Sequence, residues 1–206
     1  MFKKFGIHNS ITHLDRDYYS QFGNITDNNF LGNPKLQNLF DSYSGCSFEK
    51  GLFRIHTIGS SYVWTKITTN YFEKYKELVW CFAFDWLGRQ FAISMDGNCI
   101  FMFDPTTGGV KELEEPIDVF LNEDLVIYKN ETFNCELFNR IIELFGENLA
   151  IDKCFGFKVL LFLDGKDELG NYEVIDMELY WEVNCQINKK IIKIPPGTLI
   201  NRVDID

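Results

Sequence analysis

The sequence predicts an α+β fold, a mostly antiparallel sheet with amphipathic helices packed against it. Three observations carry this. The runs VWCFAFDW, RQFAISM and CIFMFDP are short, rich in aromatic and β-branched residues, and separated only by LG and DGN. Stretches on both sides of them place apolar residues three and four apart, the spacing of a helix with one buried face. Helices and hairpins are mixed in order instead of alternating strictly, which argues against a doubly wound parallel sheet.

Taken in order, LDRDYYSQF and KLQNLFDSY read as short helical pieces, and the Asn-rich stretch from Ser20 to Lys35 reads as loop and turn. A strand is expected at GLFRIHT, residues 51–57, entered through Gly51. From Ser60 the pattern becomes helical, with Ser60 or Ser61 as cap and Trp64, Ile67, Tyr71, Tyr75 and Leu78 as a core stripe. The three β-rich runs then form a meander, because Gly88 and the Asp96-Gly97-Asn98 triplet permit the positive φ of tight hairpin turns. EEPIDVFLNEDLVIY suggests a turn or short helix. NETFNCELFNRIIELFGEN predicts a helix with Phe133, Leu137, Ile141 and Leu144 inward and Gly146 at its C-terminal end. FKVLLFL, residues 157–163, is apolar throughout and predicts a central strand covered on both faces. In VIDMELYWEVNCQINKKI, Asp176 is the expected cap and Met177, Tyr180 or Trp181, Asn184 and Ile187 the buried stripe.

Composition bounds the function. The chain has 206 residues, 46% hydrophobic and 16% aromatic, too apolar to stay unfolded in water. It contains no apolar run near the roughly 18 residues of a membrane span, and MFKKFGIHNS is not followed by the apolar stretch of a signal peptide. A cytoplasmic location is expected. The six cysteines are widely spaced without a CxxC pair and read as reduced, mostly buried thiols. With a net charge of −10, the field repels nucleic-acid backbones and anionic membranes and suits a basic protein partner. Acidity that merely keeps a protein soluble is the plainer reading.

Candidate chemistry is sparse. Asp85 and Asp104 could act as acid and base, but both flank turns, where Asp is favoured because it accepts from local amides. Arg89 is expected to pair with Asp85 four positions back, and His56, alternating with apolar residues, to be a hydrogen-bonded structural residue. No GxSxG or HExxH pattern is present, and Asp164, Asp167 and Glu168 in DGKDELGN lack the ligand spacing of a calcium loop. No metal or cofactor is expected.

Three stretches together, GLFRIHT, CFAFDWLGRQFAI and FGFKVLLFLDGKDELGNYEVIDMELYWEVNCQI followed by IPPGT, resemble the C-terminal domain family of bacterial Tdi immunity proteins. Members neutralise DNase toxins delivered by type VI secretion. The resemblance covers roughly residues 45 to 200. It implies an immunity domain over 46–206 preceded by an N-terminal segment, 1–45, where some members carry a GAD-like domain. LFDSYSGCSFEKGLFRIH is also similar to the SUKH immunity superfamily. The function so implied is that of a non-enzymatic protein that binds a cognate toxin, a nuclease, and blocks it by occlusion. The alternatives are a small hydrolase with a pocket in the aromatic sheet, or a regulatory binding module. Candidate partner contacts come from charge density alone: Glu112, Glu114, Glu115, Asp118, Glu123 and Asp124 in one segment, and Asp164, Asp167 and Glu168 in another.

Overall fold

The computed structural model describes residues 1–22, 33–146, 148–192, 194, 195 and 198. Seven strands form one sheet in sequence order, each antiparallel to the next: β1 (Ile11–Leu14), β2 (Cys46–Phe48), β3 (Phe53–Ile55), β4 (Val79–Asp85), β5 (Gln90–Ser94), β6 (Ile100–Phe103) and β7 (Val110–Leu113). A hairpin of β8 (Lys153–Phe157) and β9 (Tyr172–Asp176) stands apart as a second sheet. The helices are α1 (Lys3–His8), α2 (Pro34–Tyr43), α3 (Ile58–Tyr71), α4 (Ile117–Val119), α5 (Leu125–Ile127), α6 (Lys129–Phe133), α7 (Cys135–Phe145) and α8 (Met177–Ile191); a π-helical turn, Phe120–Asp124, joins α4 to α5. The α+β class and the β4–β5–β6 meander are as the sequence predicts, and Gly88 (φ 75°) and Gly97 (φ 79°) supply the positive φ of its two turns.

Every residue of β4 is buried, which explains the unbroken aromatic run CFAFDW. Side chains alternate across a strand, so such a run needs cover on both faces. Trp80, Phe82 and Trp86 point into a core shared with Phe5, Leu39, Ile117, Phe120, Phe133 and Phe138. Val79, Cys81 and Phe84 point into the opposite core, with Trp64, Met177, Tyr180 and Trp181. One sheet therefore separates two helical layers. The first residues belong to this body: Phe2 and Phe5 lie in the first core, and β1 pairs with β2.

Four local expectations are corrected. The start of α3 is capped by Thr57, whose hydroxyl accepts from the Ser60 amide at 3.0 Å while the Ser60 hydroxyl accepts from the Thr57 amide at 2.9 Å, so Ser60 is the third helical residue and not the cap. The helix ends at Tyr71, and Leu78, expected in its stripe, is 56% exposed. Much of its buried face is hydroxyl, Ser61, Thr65, Thr68 and Thr69. A bulge between Cys81 and Ala83 turns the Cys81 backbone past the end of β3, where Thr65 accepts from its amide at 2.9 Å and Ser61 donates to its carbonyl. Apolar side chains there would leave two buried backbone groups unpaired.

The second correction is at Asn134, whose left-handed backbone (φ 49°) divides the expected helix into α6 and α7 and rotates the face that follows. Phe138, Ile141 and Ile142 point inward, whereas Leu144 is 65% exposed; Gly146 (φ 76°) ends α7 as expected. Third, FKVLLFL is not a central strand. β8 stops at Phe157 because the Asn171 side chain takes over, accepting from the Val159 amide at 2.9 Å and donating to the Val159 carbonyl at 2.8 Å. Leu161–Leu163 then form a 3-10 turn on the surface. Fourth, LDRDYYSQF is helical only at Ser20–Phe22, and Leu14 belongs to β1. Of the loop expected at Ser20–Lys35, residues 23–32 lie outside the described residues, as do residues 196 and 197 of IPPGT. The helix from Asp176 forms as predicted, with Met177, Tyr180, Trp181, Asn184 and Ile187 all buried.

Candidate protein-binding surface

The ionisable groups nearest the sheet centre hold the fold together. Asp85 is fully buried; its carboxylate accepts from the amides of Leu87 and Arg89, both at 3.0 Å, and from Arg89 Nε at 2.6 Å. This is the expected structural ion pair. Asp104 instead accepts from the Thr106 amide at 2.8 Å and the Thr107 hydroxyl at 2.9 Å, closing the turn into β7. His56 has both ring nitrogens engaged, with Ser60 at 3.0 Å and Gln90 at 2.9 Å, and burial pushes it down to about 3, so it is neutral at physiological pH. Nothing in FRIHT singles out Arg54. It is fully buried, stacks 4.3 Å from the Phe84 ring centre, and donates to the carbonyls of Ala150, Lys153 and Asp85. Burial lowers it only to about 10, so it stays charged. Among the described residues no group of three His, Cys, Asp or Glu side chains is placed to hold a metal ion. Four of the six cysteines, Cys46, Cys81, Cys154 and Cys185, are buried, and all six are free thiols.

The first acidic segment begins on β7, the last strand of the sheet, and runs through the turn into α4 and the π-helical turn. Its six carboxylates are not equivalent. Asp118 is paired with Lys35, which holds its carboxyl below the usual range. Glu115 is half-buried; desolvation first, and then the hydrogen bond and charge of Asp124 with the nearby Glu123, push it up to about 7. Glu112, Glu114 and Glu123 are exposed, so these three present their charge to solvent, while Asp124 is half-buried against Glu115. The second segment lies in the loop joining β8 to β9. Asp167 accepts from the Tyr172 hydroxyl at 2.6 Å, and Asp167 and Glu168 share a shallow depression with Arg140, whose positive charge offsets theirs.

The Glu115 pair has a pH signature. A carboxyl raised from 4.5 to about 7 in the folded state keeps a proton that the unfolded chain releases. Its contribution is favourable below 4.5 and is lost as pH rises through about 7. The Glu115→Gln variant is therefore expected to gain melting temperature over the parent at pH 8 and to lose that advantage at pH 4. Thermal denaturation at both values checks it; an equal difference at the two would remove the proton-sharing account.

A groove that sequence reasoning missed opens at the C-terminal end of α8. It has a volume of about 550 Å³ and is lined by Tyr71, Phe72, Leu161, Phe162, Cys185 and Ile191, among others. The available signal was FKVLLFL, whose apolar second half is exposed here instead of buried in a strand.

Comparison with known proteins gives this surface a context. Residues 117–188 match the family described as the C-terminal part of the T6SS immunity protein Tdi1, so the resemblance read from the sequence is borne out over that stretch. The crystal structure of Atu4351 from Agrobacterium tumefaciens is similar in fold, with a TM-score of 0.68 at 15% identity, covering 90% of this chain and 89% of that one. No curated protein matches. Among the described residues no helix is long and apolar enough to cross a membrane.

Proposed function

We propose that this chain is an immunity protein that binds a basic nuclease toxin and neutralises it by occlusion, without catalysis of its own and without nucleic acid or membrane as partner. The observation that carries the reading is the match of residues 117–188 to a type VI secretion immunity family. The open row of carboxylates on and after β7 supports it, beginning just before that match. Opposite charge accelerates encounter and disfavours wrong partners more than it adds affinity. The proposed setting is the cytoplasm, where free thiols such as those here persist.

Co-expression with the toxin encoded beside this chain tests the reading: cells carrying both are expected to survive, and cells carrying the toxin alone to die. A finer test uses the variant with the exposed Glu112, Glu114 and Glu123 all changed to Lys. Its association rate at low salt is expected to fall at least about tenfold, with a flatter salt dependence. The same changes made at Asp164, Asp167 and Glu168 are expected to act less, because Arg140 already offsets that loop. Stopped-flow association decides; unchanged rates in both variants would leave apolar contact as the basis of binding.

A further inference from the structure

The free edge of β7 has a definite hydrogen-bonding phase. The Asp104 amide donates to the Gly109 carbonyl at 3.0 Å, in the same register that pairs Met102 with Lys111 and Ile100 with Leu113. Opposed residues of an antiparallel pair alternate between bonding each other and facing away. Residues 102 and 111, and 100 and 113, therefore bond across the β6–β7 ladder, and Val110 and Glu112 turn their amides and carbonyls outward. The phase of β5 against β6 agrees, since the Ser94 amide donates to the Cys99 carbonyl at 2.9 Å, which directs residues 101 and 103 toward β5. No partner takes the outward groups of Val110 or Glu112 among the described residues. Val110 is half-buried, Lys111 and Glu112 exposed, and β7 has no bulge in its register.

We infer that a basic, extended segment of the toxin adds to the sheet as an eighth strand along β7, bonding the outward backbone of Val110 and Glu112 with its cationic side chains against Glu112 and Glu114. The inference rests on the immunity reading and specifies its contact. Addition of a strand to an exposed edge uses main-chain bonds for attachment and side chains for selection. Charge chooses the occupant. A second copy of this chain paired through β7 would bring like carboxylates together, which is destabilising across a strand pair, whereas a basic strand relieves the same repulsion. The opposite edge, β1, is a poorer template: its register slips between Ile11 and His13, and such a bulge disrupts the ladder locally.

The probe is a catalytically inactivated form of the toxin encoded beside this chain, and the first measurement needs no variant. In the free protein the amides of Val110 and Glu112 are expected to exchange with solvent rapidly while those of Lys111 and Leu113 are protected by β6. In the saturated complex the Val110 and Glu112 amides are expected to slow at least about tenfold. The second measurement is the affinity of Glu112→Pro, which removes one outward amide at a position where an edge strand tolerates proline, against Glu112→Gln, which removes only the charge. The proline variant is expected to bind at least about tenfold more weakly than the glutamine variant, the loss of a backbone bond and close approach. Fast exchange of Val110 and Glu112 in the saturated complex, or equal affinities of the two folded variants, would overturn the edge contact while leaving immunity intact. Absence of any binding by the parent chain would overturn the immunity reading and this inference together.

Discussion

Arg54→Met is expected to lower the free energy of unfolding by about 3 to 5 kcal/mol, measured by urea denaturation at neutral pH. The guanidinium donates to Ala150 O at 2.8 Å, Lys153 O at 2.6 Å and Asp85 O at 2.7 Å. These carbonyls come from the turn before β8, from the first residue of β8 and from the end of β4, so one side chain ties the hairpin of the C-terminal half to the sheet. Methionine fills similar space over Phe84 but leaves the Lys153 carbonyl without a donor, at about 1 to 3 kcal/mol if it stays buried, and takes the charged hydrogen bond from the Ala150 and Asp85 carbonyls, which keep the amides of Lys153 and Gly88. Relief from burying a charge offsets part of the loss, which keeps the total below the sum. Arg54→Lys is expected to recover less than half, because one ammonium cannot reproduce the planar fork that spans carbonyls on two elements. A loss under about 1 kcal/mol for Arg54→Met would mean that water or local rearrangement satisfies the carbonyls, and that the clamp does not hold the hairpin.

The sequence made the meander and the last helix legible because their signals are local. Gly88 and Gly97 announce turns wherever they lie, and the stripe from Met177 to Ile187 has one period and one cap, Asp176. What failed depended on distant partners. Ser61 reads from the sequence as a possible cap and Thr65 lies outside the expected stripe; their inward orientation follows from a bulge far along the chain that strands the backbone of Cys81. FKVLLFL carried the composition of a buried strand, yet one side chain, Asn171, takes the backbone of Val159 and ends the ladder. Arg54 sat in FRIHT as an ordinary polar position, and only the fold brings three carbonyls around it. The acidic positions were chosen from charge density, which ranks neither Asp118, paired with Lys35, nor Glu115, pushed up by burial and by Asp124, below their neighbours. The edge of β7 was invisible for the same reason: being last in a sheet is a property of the topology.

Trp86→Ala is expected to cost about 3 to 5 kcal/mol, and Trp86→Phe about 1 to 2 kcal/mol. The indole is 1% exposed and touches elements separated widely in sequence: its ring lies 5.6 Å from Phe138, 6.2 Å from Phe155 and 5.8 Å from Tyr172 between centroids. Its Nε1 donates to the Phe133 carbonyl at 2.7 Å, and its own carbonyl accepts from the Phe155 amide at 2.8 Å. Alanine removes the burial and leaves a cavity that β4, held by β3 and β5, cannot close by moving. Phenylalanine keeps most of the apolar contact but leaves the Phe133 carbonyl, at the end of α6 where Asn134 breaks the helix, without its donor; both variants lose that bond, so the difference between them measures the packing and the loss in Trp86→Phe mainly the bond. Under the proposed function, toxin binding adds a second readout. Trp86 contacts residues 133 to 172, inside the stretch that matches the immunity family, but not β7. Trp86→Phe is therefore expected to keep the parent's toxin affinity within about twofold despite its lower stability, because distant, independent sites act additively. A Trp86→Phe protein that unfolds like the parent but binds more than about tenfold more weakly would place the contact surface beside α6 and β8 instead of along the edge of β7.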